Sequence, residues 1–182
     1  MAASSLGKTR SKKAYDALIK ALERDSHMEA IRALAFDGLA ELKDERALPV
    51  AIQWTKYGRP QRAREAATFA LGKLGENKRE ALDTLIDLLD DPWLRVRMRA
   101  IGALEELKDL KAIPALEQRI GRERDDRVVR VAREAILRIH EGKSAPDDVK
   151  KLRESLDKLE EDNRHLKDRL ERLEKKLEGK AK

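Results

Sequence analysis

The chain has 182 residues, enough to bury a core. Its 41 Lys and Arg against 35 Asp and Glu, with aromatics at only 3%, suit helical repeats and coiled coil rather than a sheet protein. With no cysteine, disulfides, cysteine nucleophiles and cysteine–metal sites are excluded, and no apolar run reaches the ~20 residues of a membrane-spanning helix. The first residues, MAASSLGKTRSKK, lack the continuous apolar stretch of a secretory signal. A cytoplasmic location is the expectation.

In chain order, residues 1–11 read as a truncated helix of a preceding repeat. Leu6 stands 33 residues before Leu39, and Ser5-Leu6-Gly7-Lys8 is close to Ala70-Leu71-Gly72-Lys73. The expectation is that this is the C-terminal piece of a longer protein. Residues 12–143 then read as four helix pairs. The first pair is KKAYDALIKALE and MEAIRALAFDGLAEL, turning at Asp25-Ser26. The second is RALPVAIQWTKY and QRAREAATFALGKL, broken at Gly58-Arg59-Pro60. The third is REALDTLIDLL and WLRVRMRAIGALEEL, broken at Asp90-Asp91-Pro92. The fourth is AIPALEQRI and RVVRVAREAILRI, joined by GRERDD. Asp or Pro at such junctions suits a helix start. Pro49 and Pro114 fall near starts, where a missing amide donor is tolerated.

The second helices of the pairs superimpose at a spacing of 32 or 33 residues. Ile31, Ala63, Val96 and Val128 align, followed four residues on by Ala35, Ala67, Ala100 and Ala132. Seven on are Gly38, Ala70, Ala103 and Ala135; eight on are Leu39, Leu71, Leu104 and Ile136; eleven on are Leu42, Leu74, Leu107 and Ile139. These offsets share one helix face. The small residues predict close helix approach, with Leu and Ile filling the space between. One pair cannot bury its own apolar face, so stacking into an all-α superhelix is required.

Residues 144–182 read as a coiled-coil dimerisation helix. Gly142 suits a helix C-cap, and Ser144 followed by Asp147 resembles a capping box. Val149, Leu152, Leu156, Leu159, Asn163, Leu166, Leu170, Leu173 and Leu177 then recur in alternating steps of three and four, an unbroken heptad seam. Asn163 at an a position favours a parallel two-stranded pairing. So do the attractive g-to-e pairs Asp148–Arg153, Asp162–Lys167 and Arg169–Glu174.

No P-loop or dinucleotide fingerprint is present. His27, His140 and His165 do not stand at metal-ligand spacing and read as solvated, so neither a metal nor a cofactor is expected. Arg32, Arg64 and Arg97 form a column one residue after the anchors. They read either as a structural ladder onto carboxylates and helix ends or as a row contacting an anion. Trp54, Tyr57 and Trp93 read as plugs at the junctions within pairs.

The pattern Asp91-Pro92, Val96-Arg97, Ala100, Ala103-Leu104 resembles HEAT repeats, in the short class found in phycobilisome-lyase-like proteins. The runs LGKTRSKKAYDALIKAL, ALAFDGLAELKDERAL and LLDDPWLRVRMRAIGAL are similar to the C-terminal HEAT region of bacterial zinc aminopeptidases of the aminopeptidase N family. That family's HExxH helix, distal Glu ligand and Gly-rich substrate motif have no counterpart here, so no catalytic residue carries over. NRHLKDRLERL resembles the leucine zipper of yeast bZIP factors; without a preceding basic region, this implies dimerisation and not DNA binding. In HEAT solenoids the second helices line the concave side, so the resemblance implies an inner surface that includes Phe36, Phe69, Met98 and Ile101. These serve either for docking or for packing between helices. The expected function is a non-catalytic protein-binding scaffold, paired through its coiled coil, whose partner is a protein segment or an upstream enzyme domain. The alternatives are the non-catalytic C-terminal region of a zinc aminopeptidase and a nucleic-acid-binding HEAT-like module, the latter disfavoured by interspersed charge and sparse aromatics.

Overall fold

The computed structural model describes residues 12–143, together with Lys158. The truncated helix expected over 1–11, and the leucine seam with Asn163, lie outside the described residues. The chain divides into two compact units, Met1–His140 and Glu141–Lys182, and the repeats lie in the first.

The described residues form helices α1 (Lys12–Leu22), α2 (Ala30–Leu42), α3 (Ala47–Thr55), α4 (Gln61–Leu74), α5 (Arg79–Asp87), α6 (Leu94–Leu107), α7 (Ile113–Arg122) and α8 (Asp126–Lys143). Short 3-10 turns occupy His27–Glu29, Leu88–Asp90 and Leu110–Ala112, and there is no strand among the described residues. Taken in chain order they are α1 with α2, α3 with α4, α5 with α6 and α7 with α8. Pro49 and Pro114 fall in the first turns of α3 and α7, where no intrahelical amide bond is lost. Gly58, at φ 92, turns the chain between α3 and α4. Two boundaries depart from expectation. The second helix of the first pair starts later, because Met28 and Glu29 both sit at positive φ ahead of Ala30. At the other end, α8 continues through Gly142 to Lys143; a single helical glycine costs only ~1 kcal/mol, so it does not force a stop.

Within a pair, α1 packs on α2, α3 on α4 and α5 on α6; between pairs, α2 packs on α4 and α4 on α6. The repeat pattern explains this directly. Ala35, Leu39, Ala67, Ala70, Leu71, Ala100, Leu104, Ala132 and Ala135 are buried, and Ile139 joins the same core. Each buried leucine contributes roughly 1.5–3 kcal/mol, while the alanines set how close the helices stand. The anchor column holds for Ala63, Val96 and Val128, all fully buried, but Ile31 is 37% exposed. That residue follows the left-handed start of α2, whereas α4 and α6 are preceded by extended Pro60 and Trp93.

Helices α4 and α6 approach closely at Gly72, where a Cβ would stand 2.9 Å from both Cα and Cβ of Ala103. The period is also visible in ion pairs: Lys73–Glu106, Lys78–Glu45 and Arg138–Glu105 each join residues one repeat apart. Such exposed pairs contribute little energy and mainly favour register.

Candidate functional site

The arginine column forms a ladder. Arg32 and Arg64 each reach the last carbonyl of the first helix of their own pair, Arg97 reaches the segment after the 3-10 turn that follows α5, and all three then bind a carboxylate. Arg32 Nε donates to Leu22 O at 2.7 Å, and its Nη atoms donate to Glu29 and Asp25, both at 2.6 Å. Arg64 Nε donates to Thr55 O at 2.8 Å, and its Nη atoms grip Asp91 of the following pair. Arg97 Nη1 donates to Asp91 O at 3.0 Å, and its Nε to Glu123 of the following pair at 3.1 Å. Asp91 Oδ1 also accepts the Trp93 amide at 2.9 Å, which ties the ladder to the turn before α6. Glu123 takes further donors from Arg119 and from the Arg124 and Asp125 amides. Burial opposes its ionisation, but the Arg119 bond, the two amides and the Arg97 charge outweigh it and hold the carboxyl at about 2. Arg32 and Arg64 are buried and their donors are taken up within the protein. These contacts favour the ladder over an anion-contacting row, because helix ends and carboxylates reach the guanidinia first.

The docking candidates separate into two pairs. Phe36 and Ile101 are fully buried and present no docking surface. Both sit five residues after their anchors, a position turned inward here; Phe36 packs edge-on against Trp54 at 5.9 Å between ring centroids. Phe69 and Met98, by contrast, are half-buried and line one groove between α4 and α6. Of the three expected plugs, Trp54 is partly buried beneath the Arg32 and Arg59 guanidinia. Tyr57 and Trp93 are 80% and 50% exposed, because both lie in the turns rather than under them. His27 and His140 lie at the surface, and His165 is outside the described residues. No group of three or more potential metal ligands converges among the described residues.

The groove encloses about 450 Å³. Its floor is made of small residues, Gly72, Gly102 and Ala103, and its apolar wall of Phe69 and Met98. Its ends differ because α4 and α6 run side by side in the same direction. At their C-terminal ends Lys73 and Glu106 close on each other at 2.6 Å. At their N-terminal ends the groove opens into a second recess lined by Met28, Glu29, Gln61, Arg62, Glu65, Arg95 and Arg99. The Arg99 guanidinium stands 5.6 Å from the centre of the Phe69 ring. On α2, burial raises the Asp37 carboxyl above its ordinary value, opposed by the charge of Arg99 and reinforced by Glu41. Sequence reasoning missed Arg62, Arg95 and Arg99. The repeat alignment held the signal: Arg62 and Arg95 both stand one residue before their anchors, on the face opposite the buried leucines.

None of these residues forms a catalytic constellation; the arrangement is an apolar slot in a charged rim, suited to binding. No helix among the described residues is long and apolar enough to cross a membrane. No curated protein matches the sequence significantly. Among solved structures, the chain is similar to the complex of CpcE and CpcF of phycocyanin lyase from Nostoc sp. PCC7120, at 22% identity and a TM-score of 0.63. That alignment covers 72% of this chain and 85% of the other. A likeness at this identity speaks for the fold alone, and no lyase activity follows from it. The family model described as HEAT repeats matches residues 1–72 and 52–137. On that match, and on the stacked pairs with their small-residue faces, the chain belongs to the HEAT-repeat family.

Proposed function

We propose that the protein is a non-catalytic binding scaffold whose groove between α4 and α6 receives a segment of another protein. The observation that carries this reading is the half-buried pair Phe69 and Met98 beside a floor of Gly72, Gly102 and Ala103. Those apolar side chains stay partly open to solvent where their counterparts Phe36 and Ile101 are fully buried. Anchors that fill such slots dominate the energy of protein recognition.

The reading has two finer parts, both supported by the sequence. Two such modules are joined as a parallel homodimer through the seam from Val149 to Leu177, with Asn163 setting strand number. Two linked grooves gain avidity for a partner whose sites they can span together. The module also belongs beside an enzyme domain of the zinc aminopeptidase type, as the resemblance of its first repeats implies.

The test is selection of an unbiased displayed peptide library on the full chain, compared with the Gly102→Phe variant. A Cβ at Gly102 meets nothing within 4 Å, so a large side chain there fills the groove without disturbing the core. Enrichment of peptides on the parent chain but not on the variant is the expected result. Identical selections on both would refute the groove as a docking site.

A further inference from the structure

We infer that the groove's partner is an acidic amphipathic helix, an inference that rests on the protein-binding reading and specifies it.

Charge is the first argument. Arg62, Arg95 and Arg99 line the open end of the groove, and none of them forms an ion pair within the described residues. The nearby carboxylates are largely engaged. Glu29 is held by Arg32 at 2.6 Å and Glu106 at the far end by Lys73, while Glu65, which accepts from the neutral Gln61 amide at 3.2 Å, keeps its charge and offsets one of the three arginines. The first turns of α4 and α6 add to this field, since neither Pro60 nor Trp93 supplies a side-chain cap to their free amides. An occupant bearing Asp or Glu at that end meets three guanidinia that outnumber the facing Glu65 carboxylate, with Arg99 partly balanced by Asp37; one bearing Lys or Arg meets net repulsion.

Backbone chemistry is the second argument. The groove walls are α-helices, whose amides and carbonyls bond within each helix and offer no strand edge for an extended peptide to extend. Recognition falls to side chains, and the slot beside Phe69 and Met98 suits anchors repeating along one helix face. Glu65 stands among the arginines and disfavours a continuous phosphate track, which separates this surface from a nucleic-acid groove.

The experiment uses a fluorescent synthetic helical peptide of about 16 residues with Leu at i, i+3, i+4 and i+7 and Glu on both flanks. Controls replace its Glu by Lys or its Leu by Ala, and a random DNA duplex provides a further arm. Binding is followed by anisotropy to the full chain and to Arg95→Glu/Arg99→Glu, Arg95→Lys and Gly102→Phe, each checked for helix content by circular dichroism. The acidic peptide should bind saturably, at least ~10-fold tighter than either peptide control. The double charge reversal and the Gly102→Phe block should each weaken it ~10-fold or more, while Arg95→Lys retains most of the affinity. The inference is overturned if the Lys peptide binds as well, if the acidic peptide does not bind, if charge reversal leaves its affinity unchanged, or if duplex DNA displaces it. Groove-dependent library peptides that are basic or neutral would overturn the acidic partner and leave the protein-binding reading standing. A library with no groove-dependent peptide would end both.

Discussion

Gly72 and Gly102 stand one turn apart in repeat register, and the same substitution should move stability in opposite directions at the two. An alanine replacing a helical glycine gains about 0.5–1 kcal/mol from backbone entropy wherever the new methyl fits. At Gly102 nothing lies within 4 Å of the added carbon, so Gly102→Ala should stabilise by that amount. At Gly72 the added carbon meets Ala103 Cα and Cβ at 2.9 Å, and one of these is backbone. Carbon atoms rest about 3.5–4.0 Å apart. Helices α4 and α6 must therefore separate, loosening a contact shared by Ala70, Leu71, Ala100 and Leu104. Overpacking of this kind costs about 1–3 kcal/mol, which leaves Gly72→Ala destabilised by roughly 1–2 kcal/mol after the entropic gain. Urea unfolding followed by the fluorescence of Trp54 and Trp93 gives both values on one scale, with unchanged m expected for both. Two variants stabilised alike would refute the claim that close approach at Gly72 sets the spacing of the repeats.

Asp91→Ala should be far costlier, by about 3–5 kcal/mol, because it strands the buried Arg64 guanidinium and the Trp93 amide; a loss below ~1 kcal/mol in urea would show that the ladder is not carrying the turn before α6. Glu123 predicts an acid limb. Its carboxyl is held at about 2, below its ordinary value of 4.5, so the stability it adds is complete above pH ~5 and disappears as pH falls toward 2. Glu123→Gln should flatten the stability profile in that window, and superimposable profiles would contradict the assignment. Asn163→Leu should raise thermal stability while loosening control over strand number. Sedimentation equilibrium measures this, and a parent chain that remains monomeric at high micromolar concentration would refute the paired tail.

The linear order of residues was sufficient for the all-helical repeat fold, for most of its buried face and for the HEAT repeats. A period of 32 or 33 residues carrying Ala, Gly and Leu at fixed offsets has one solution that buries every apolar stripe, which is to stack each pair on the next. The arginine column was visible as a repeated charge, but sequence left it open between a ladder onto carboxylates and helix ends and a row contacting an anion. Tertiary structure decided which apolar residues face inward. Phe36 and Ile101 differ from Phe69 and Met98 by a few positions of helical phase, each about 100° of rotation. Whether that phase meets a neighbouring helix or open space depends on where α4 and α6 lie. It also decided which charges remain available. Arg32 and Arg64 are consumed by helix ends and carboxylates, while Arg95 and Arg99 are left facing a groove. Local sequence fixes the number and type of charges, but their pairing depends on distances that exist only once the repeats have stacked.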